Sequence, residues 1–101
     1  MRYGVGAGWH GLADELQARL RLLEPPGELL GVGLDDSGLL RFRARLDPSV
    51  RAEGKKLLRE YQRRATELCE LCGGPGRVRA GVVLTVRCPD CEPVDLAAVR
   101  H

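Results

Sequence analysis

Cys69-Glu70-Leu71-Cys72 and Cys88-Pro89-Asp90-Cys91 form two close cysteine pairs, with fifteen residues between them. Thiolates are soft metal ligands, and a Cys-x-x-Cys turn brings two sulfurs to one ion. Two such turns separated by 15–20 residues have the spacing of a four-thiolate zinc site. The assignment is therefore one structural Zn2+ held by Cys69, Cys72, Cys88 and Cys91. Four protein ligands close the shell and leave no position for water or substrate. The cysteines thus point to architecture, and no enzyme is expected.

Other chemistry is weakly represented. Gly6-Ala7-Gly8-Trp9-His10-Gly11 matches G-x-G-x-x-G, but the dinucleotide fingerprint needs a preceding strand and a βαβ unit, and neither is expected here. His10 and His101 are isolated in sequence, whereas a general base needs a positioned partner. Asp14 and Glu15 are adjacent on an expected helix and point apart. Asp35, Asp36 and Ser37 have the composition of a turn. No Ser-His-Asp set, phosphate loop or metal-hydrolase motif occurs in the sequence.

The 101 residues suit one compact domain, and aromatic residues make up only 4% of them. Leu and Val must therefore build a modest core, and a metal staple suits a core of that size. No run approaches ~20 apolar residues, so no membrane span is expected. The N-terminus carries no basic-then-apolar run, so no secretion signal is expected. A cytoplasmic, reducing setting follows, where paired cysteines bind metal more often than they form disulfides.

The net charge of +2 hides a pattern. Residues 1–40 carry −3, residues 41–87 carry +7 and residues 88–101 carry −2. Arg41, Arg43 and Arg45 alternate along one expected strand, and Arg77, Arg79 and Arg87 lie on the expected ribbon. These six are the candidate residues for contact with a partner or with nucleic acid. The alternative for the strand arginines is a solvated face whose charge discourages edge pairing. The long basic helix is read as solvated, because Glu53, Glu60 and Glu67 recur among its cations. The modest net charge and a pI near 8.5 favour a protein partner slightly over DNA or RNA. Scarce aromatics argue against a single-strand binder.

The elements that position these groups follow from periodicity. Residues 1–10 read as a flexible, Gly-rich lead-in that delivers Trp9 to the core. Residues 11–24 read as a helix, with Leu12, Leu16, Leu20 and Leu23 on one stripe and Asp14 and Glu15 in the first turn. Pro25-Pro26 ends it. Residues 28–46 read as a β-hairpin around Asp36-Ser37-Gly38, with Gly38 left-handed. That loop pairs Leu34 with Leu40 and Val32 with Phe42, and places Leu30, Val32 and Leu34 on the core face. Asp47-Pro48-Ser49 is a helix start signal, and residues 49–68 continue as a long helix that buries Val50, Leu57, Tyr61, Ala65 and Leu68. Glu60 and Arg64 are an i,i+4 pair on it. Residues 69–92 are the ribbon, with strands at Arg77–Arg79 and Val82–Arg87, and residues 93–101 are a tail. The fold class is α+β: helix, hairpin, long helix, then a four-cysteine zinc ribbon, with residues 11–68 as the α-β-β-α unit of one compact domain.

Gly8-Trp9, Gly38-Leu39-Leu40-Arg41-Phe42 and Cys69-Glu70-Leu71-Cys72-Gly73-Gly74-Pro75-Gly76, followed by the second cysteine pair, resemble a group of small uncharacterised zinc-ribbon proteins encoded in phages, prophages and bacteria. The resemblance spans roughly residues 8–91, and the Cys-Glu-x-Cys-Gly-x-Pro-Gly stretch is its most specific part. It implies zinc and this order of elements. The turn before the Leu-Arg-Phe stretch departs from the group. There it is usually rich in Lys and Glu with an aromatic, and here it is Leu34-Asp35-Asp36-Ser37-Gly38. The group carries no established activity. Its size and genomic habit suit an inhibitor- or immunity-like binder. A non-enzymatic, zinc-stabilised binding protein is the leading expectation, and a sequence-independent nucleic-acid binder the alternative.

Overall fold

The computed structural model describes residues 5–91. The expected tail at 93–101, with His101, lies outside the described residues. The order is α1 (His10–Leu20), β1 (Glu28–Leu34), β2 (Leu40–Arg45), α2 (Arg51–Ala65), β3 (Arg77–Arg79) and β4 (Thr85–Arg87). Strands β1–β2 and β3–β4 form two separate antiparallel sheets, so the fold is α+β.

The stretch read as a loose lead-in contains a 3-10 turn, Ala7–Trp9, that runs into α1. Because α1 starts at His10, its first turn holds no acid, and Asp14 and Glu15 stand one turn further on. Leu12, Leu16 and Leu20 are buried as their spacing requires. Asp47 caps the next start by accepting from the backbone N–H of Ser49 at 2.9 Å. A 3-10 turn, Pro48–Val50, then leads into α2.

The hairpin register agrees with the loop chemistry. Leu34 pairs with Leu40 and Val32 with Phe42, and Gly38 has φ +101°. One expectation fails further down. A bulge falls between Leu29 and Gly31, so the inward face switches there. Leu29 is only 4% exposed and enters the core, whereas Leu30 is 42% exposed. Leu34 lies on the tip side of the bulge, at the end of the strand, and is 54% exposed although its register is as expected. A bulge inserts one unpaired residue, and period-2 counting from the hairpin tip cannot see it.

Trp9, Leu12, Leu16, Leu20, Leu29, Leu40, Phe42, Tyr61 and Ala65 form one buried cluster, which Val86 of β4 joins. At the free edge of β2, the N–H of Phe42 donates to Gln62 Oε1 on α2 at 3.0 Å. The hairpin tip also touches the ribbon, where the N–H of Leu84 donates to the carbonyl of Ser37 at 2.6 Å. Among the described residues, no helix is long and apolar enough to cross a membrane.

Candidate metal centre

The first cysteine pair follows directly on α2. The Cys69 N–H donates to the Gly74 carbonyl and the Gly73 N–H returns to the Cys69 carbonyl, both at 2.8 Å. Gly73 takes φ +79°, which lets the chain reverse just after the pair. The second pair is closed by Cys91 N–H to the Cys88 carbonyl at 3.1 Å. Glu70 ties the two halves together. Its N–H donates to the Val86 carbonyl at 2.8 Å, and its Oε1 accepts from the Val86 N–H at 2.9 Å.

These links gather the sulfurs. The Sγ atoms of Cys69, Cys72, Cys88 and Cys91 all lie within 4.8 Å of one another, and those of Cys72 and Cys88 are 3.6 Å apart. Four metal–sulfur bonds of ~2.3 Å at tetrahedral angles demand sulfur–sulfur edges of about 3.8 Å. All four cysteines are free of disulfides. The donor set therefore fits a metal ion at its centre.

Electrostatics agree. Burial resists ionisation of Cys69, but backbone N–H groups of Cys72, Cys88 and Leu71 outweigh it and lower the thiol to about 6. The Gly74 N–H favours the Cys72 thiolate, yet the Cys88 and Cys69 thiols keep that pKa raised. Cys91 is pushed up to about 12, first by its hydrogen bond to Cys88 and then by Cys69. Sulfurs this close cannot all carry charge unless a cation sits among them, and a bound cation inverts that balance.

The N-terminal turn buttresses the site. Gly8 N–H donates to the Glu70 carbonyl at 2.9 Å. A Cβ at Gly6 or Gly8 would run into the carbonyl oxygens of Glu70 and Cys69. The glycines that mimic a dinucleotide fingerprint thus serve close backbone approach to the first cysteine turn. Trp9, almost fully buried, donates Nε1–H to the carbonyls of Ala65 at 3.2 Å and Leu68 at 3.0 Å. It caps the end of α2 just before Cys69.

The six candidate arginines sit in different local settings. Arg41 contacts Asp35 at 3.0 Å and Arg45 contacts Glu28 at 3.1 Å. Arg43 lays its guanidinium over Gly31. Arg77 is exposed, whereas Arg79 and Arg87 are half-buried. Arg87 Nε stands 3.8 Å from Glu70 Oε1, and Arg79 donates to the Arg87 carbonyl at 3.4 Å. His10 Nε2 is bonded to the Val5 carbonyl at 2.9 Å.

A polar clamp between the helices was not legible in the sequence. The fully buried Tyr61 donates its hydroxyl to Glu15. Arg64 binds Glu15 at 3.0 Å and stacks 4.7 Å from the Tyr61 ring centroid. Arg64 therefore pairs across the helices rather than with Glu60, which stands 3.9 Å from Arg19. The Tyr61 hydrogen bond, then Arg64, lowers the Glu15 pKa. Forty-six residues separate Glu15 from Tyr61, so no local pattern announces the contact.

No protein family, curated protein or solved structure matches the chain. The geometry alone defines a small α+β protein with four clustered cysteines that could hold a metal ion.

Proposed function

We propose that this is a non-enzymatic, zinc-stabilised binding protein, in which Cys69, Cys72, Cys88 and Cys91 hold one structural Zn2+ and the surface outside the metal centre engages a macromolecule. The observation that carries the reading is the convergence of the four sulfurs within 4.8 Å. Zinc suits an all-thiolate tetrahedral set, and four protein ligands leave no coordination position for chemistry. The link from the first cysteine turn through Glu70 to β4 supports a structural role, because the metal would fix the strands to the end of α2.

Cobalt(II) substitution tests this. The expected result is one ion per chain, with the intense visible absorption of a tetrahedral thiolate site, and loss of that spectrum in Cys72→Ala. A weak spectrum typical of five or six ligands, or a band that shifts when an exogenous ligand is added, would reveal an open position and overturn the non-enzymatic reading.

A further inference from the structure

We infer that the outward face of α2 binds the phosphate backbone of a nucleic-acid duplex. This names the partner class within the binding-protein reading and rests on it. Arg51, Lys55, Arg59 and Arg63 recur at steps of four along the helix, and all four are exposed, as is neighbouring Lys56. At ~1.5 Å per residue the row is about 18 Å long.

The glutamates do not interrupt it. Glu53, Glu60 and Glu67 recur at steps of seven, which places them on one flank of the helix. Glu60 stands beside Arg19 of α1, and Glu53 and Glu60 line the cleft between the helices. Gln62 marks the opposite flank, where it holds the backbone of β2. Arg51, Lys55, Arg59 and Arg63 therefore hold the outward side, Glu53 and Glu60 are turned toward α1 with Lys56 beside them, and Glu67 closes the row beyond Arg63. Among the described residues, Lys55, Lys56 and Arg59 have no carboxylate within 4.0 Å, and Arg63 reaches Glu67 at 3.4 Å. Arg51 lies near Asp47, whose carboxyl is held low first by hydrogen bonds from Ser49 and then by Arg51.

Fold stability does not account for this row. Like charges at i,i+4 destabilise a helix, and a cation at its first residue opposes the dipole. Placement against local preference is expected where function requires it. The chemistry of the face selects the partner. Its exposed residues along and beside the row are Arg51, Ala52, Lys55, Lys56, Arg59 and Arg63, and the five cations among them are side-chain types that contact phosphates. Protein interface cores are rich in aromatics and poor in Lys. This row has no aromatic and carries Lys55, with Lys56 beside it, while its arginines suit either kind of partner. It also lacks the aromatic platforms of a single-strand binder. A duplex carries one charge per ~1.7 Å of axis, so the row spans roughly ten of them.

The test is binding of the zinc-loaded protein to a short random DNA duplex across a salt series, with the matching single strand and polyglutamate as competitors. With four phosphate contacts, affinity should fall roughly 100-fold between ~50 and ~200 mM salt. Arg51→Gln/Lys55→Gln/Arg59→Gln should flatten the log–log slope by about 2.7. That variant should melt no lower than the parent, because it removes like-charge pairs. Arg41→Gln/Arg45→Gln should leave the slope within one unit of the parent. An unchanged slope in the triple variant, no duplex binding at ~50 mM salt, or stronger competition by polyglutamate or the single strand overturns the inference. Zinc content of the same samples separates the two readings. A zinc-loaded protein that ignores the duplex overturns this inference alone. A zinc-free protein that binds with the expected slope overturns the metal staple and leaves the α2 face standing.

Discussion

The helix–hairpin part and the ribbon part of the molecule are held together by different means. The first buries Trp9, Leu12, Leu16, Leu20, Leu29, Leu40, Phe42 and Tyr61 in one cluster. The second has strands of three residues each and leaves Leu71, Val78, Val82 and Val83 exposed. Among the described residues of the ribbon, Val86 is the apolar side chain that enters the shared core, and Cys69 and Cys88 are the other buried ones. A unit this small has little apolar burial to hold its shape, and under the proposed reading a metal at the four cysteines substitutes for the missing core. The contrast sets hydrophobic packing at one end against four cysteines placed to coordinate a metal at the other, joined where Trp9 meets the end of α2.

The largest expected effect follows from that contrast. Cys88→Ser should abolish stoichiometric zinc binding and unfold the ribbon, while most of the helical circular dichroism remains. Metal analysis and far-ultraviolet spectra read the two parts separately. Loss of all helix on metal loss would show that the helical part has no independent stability.

Trp9→Ala attacks the seam and should rank next. It opens a cavity in the core and removes the donor to the Ala65 and Leu68 carbonyls. Large-to-small changes of this kind cost ~3–5 kcal/mol. Chemical denaturation measures the loss, and zinc affinity should weaken with it, because the first cysteine turn rests on the same residues. A stable variant with full zinc affinity would dissolve the proposed link between the two parts.

Gln62→Ala sharpens the comparison within the helical part alone. It leaves the edge N–H of Phe42 without its partner and should cost about 1 kcal/mol. Zinc affinity should not change, and a parallel loss of zinc would show wider coupling than the geometry implies.

Acid titration carries the smallest effect. The Glu15 pKa is lowered by Tyr61 and then Arg64, so its contribution is complete above the ordinary glutamate value of ~4.3 and disappears as pH falls through the lowered folded value. Thermal melts of Tyr61→Phe should therefore depend less on pH below that value than melts of the parent. Equal pH slopes would place the Glu15 contribution elsewhere.

Much of this was legible because it is local. The four cysteines, the Asp47 cap, the leucine stripe of α1 and the positive φ of Gly38 each follow from a few neighbouring residues. What escaped depends on contacts distant in sequence or on broken periodicity. Gly6 and Gly8 are explained only by the carbonyls of Glu70 and Cys69, which lie about sixty residues away. The bulge beside Leu30 breaks the alternation on which strand reading relies. The placement of Glu53 and Glu60 beside α1, away from the exposed row of Arg51, Lys55 and Arg59, appears only once the buried face is fixed, since the glutamates look interspersed in the linear sequence.

Amide hydrogen exchange with and without a strong chelator tests the central claim most directly, namely that a metal held by Cys69, Cys72, Cys88 and Cys91 replaces a core in the ribbon. The account predicts that chelation removes protection from Arg77–Arg79, Thr85–Arg87 and the turns around the cysteines, while His10–Leu20 and Arg51–Ala65 remain protected. Unchanged protection across the ribbon after complete metal removal would contradict it.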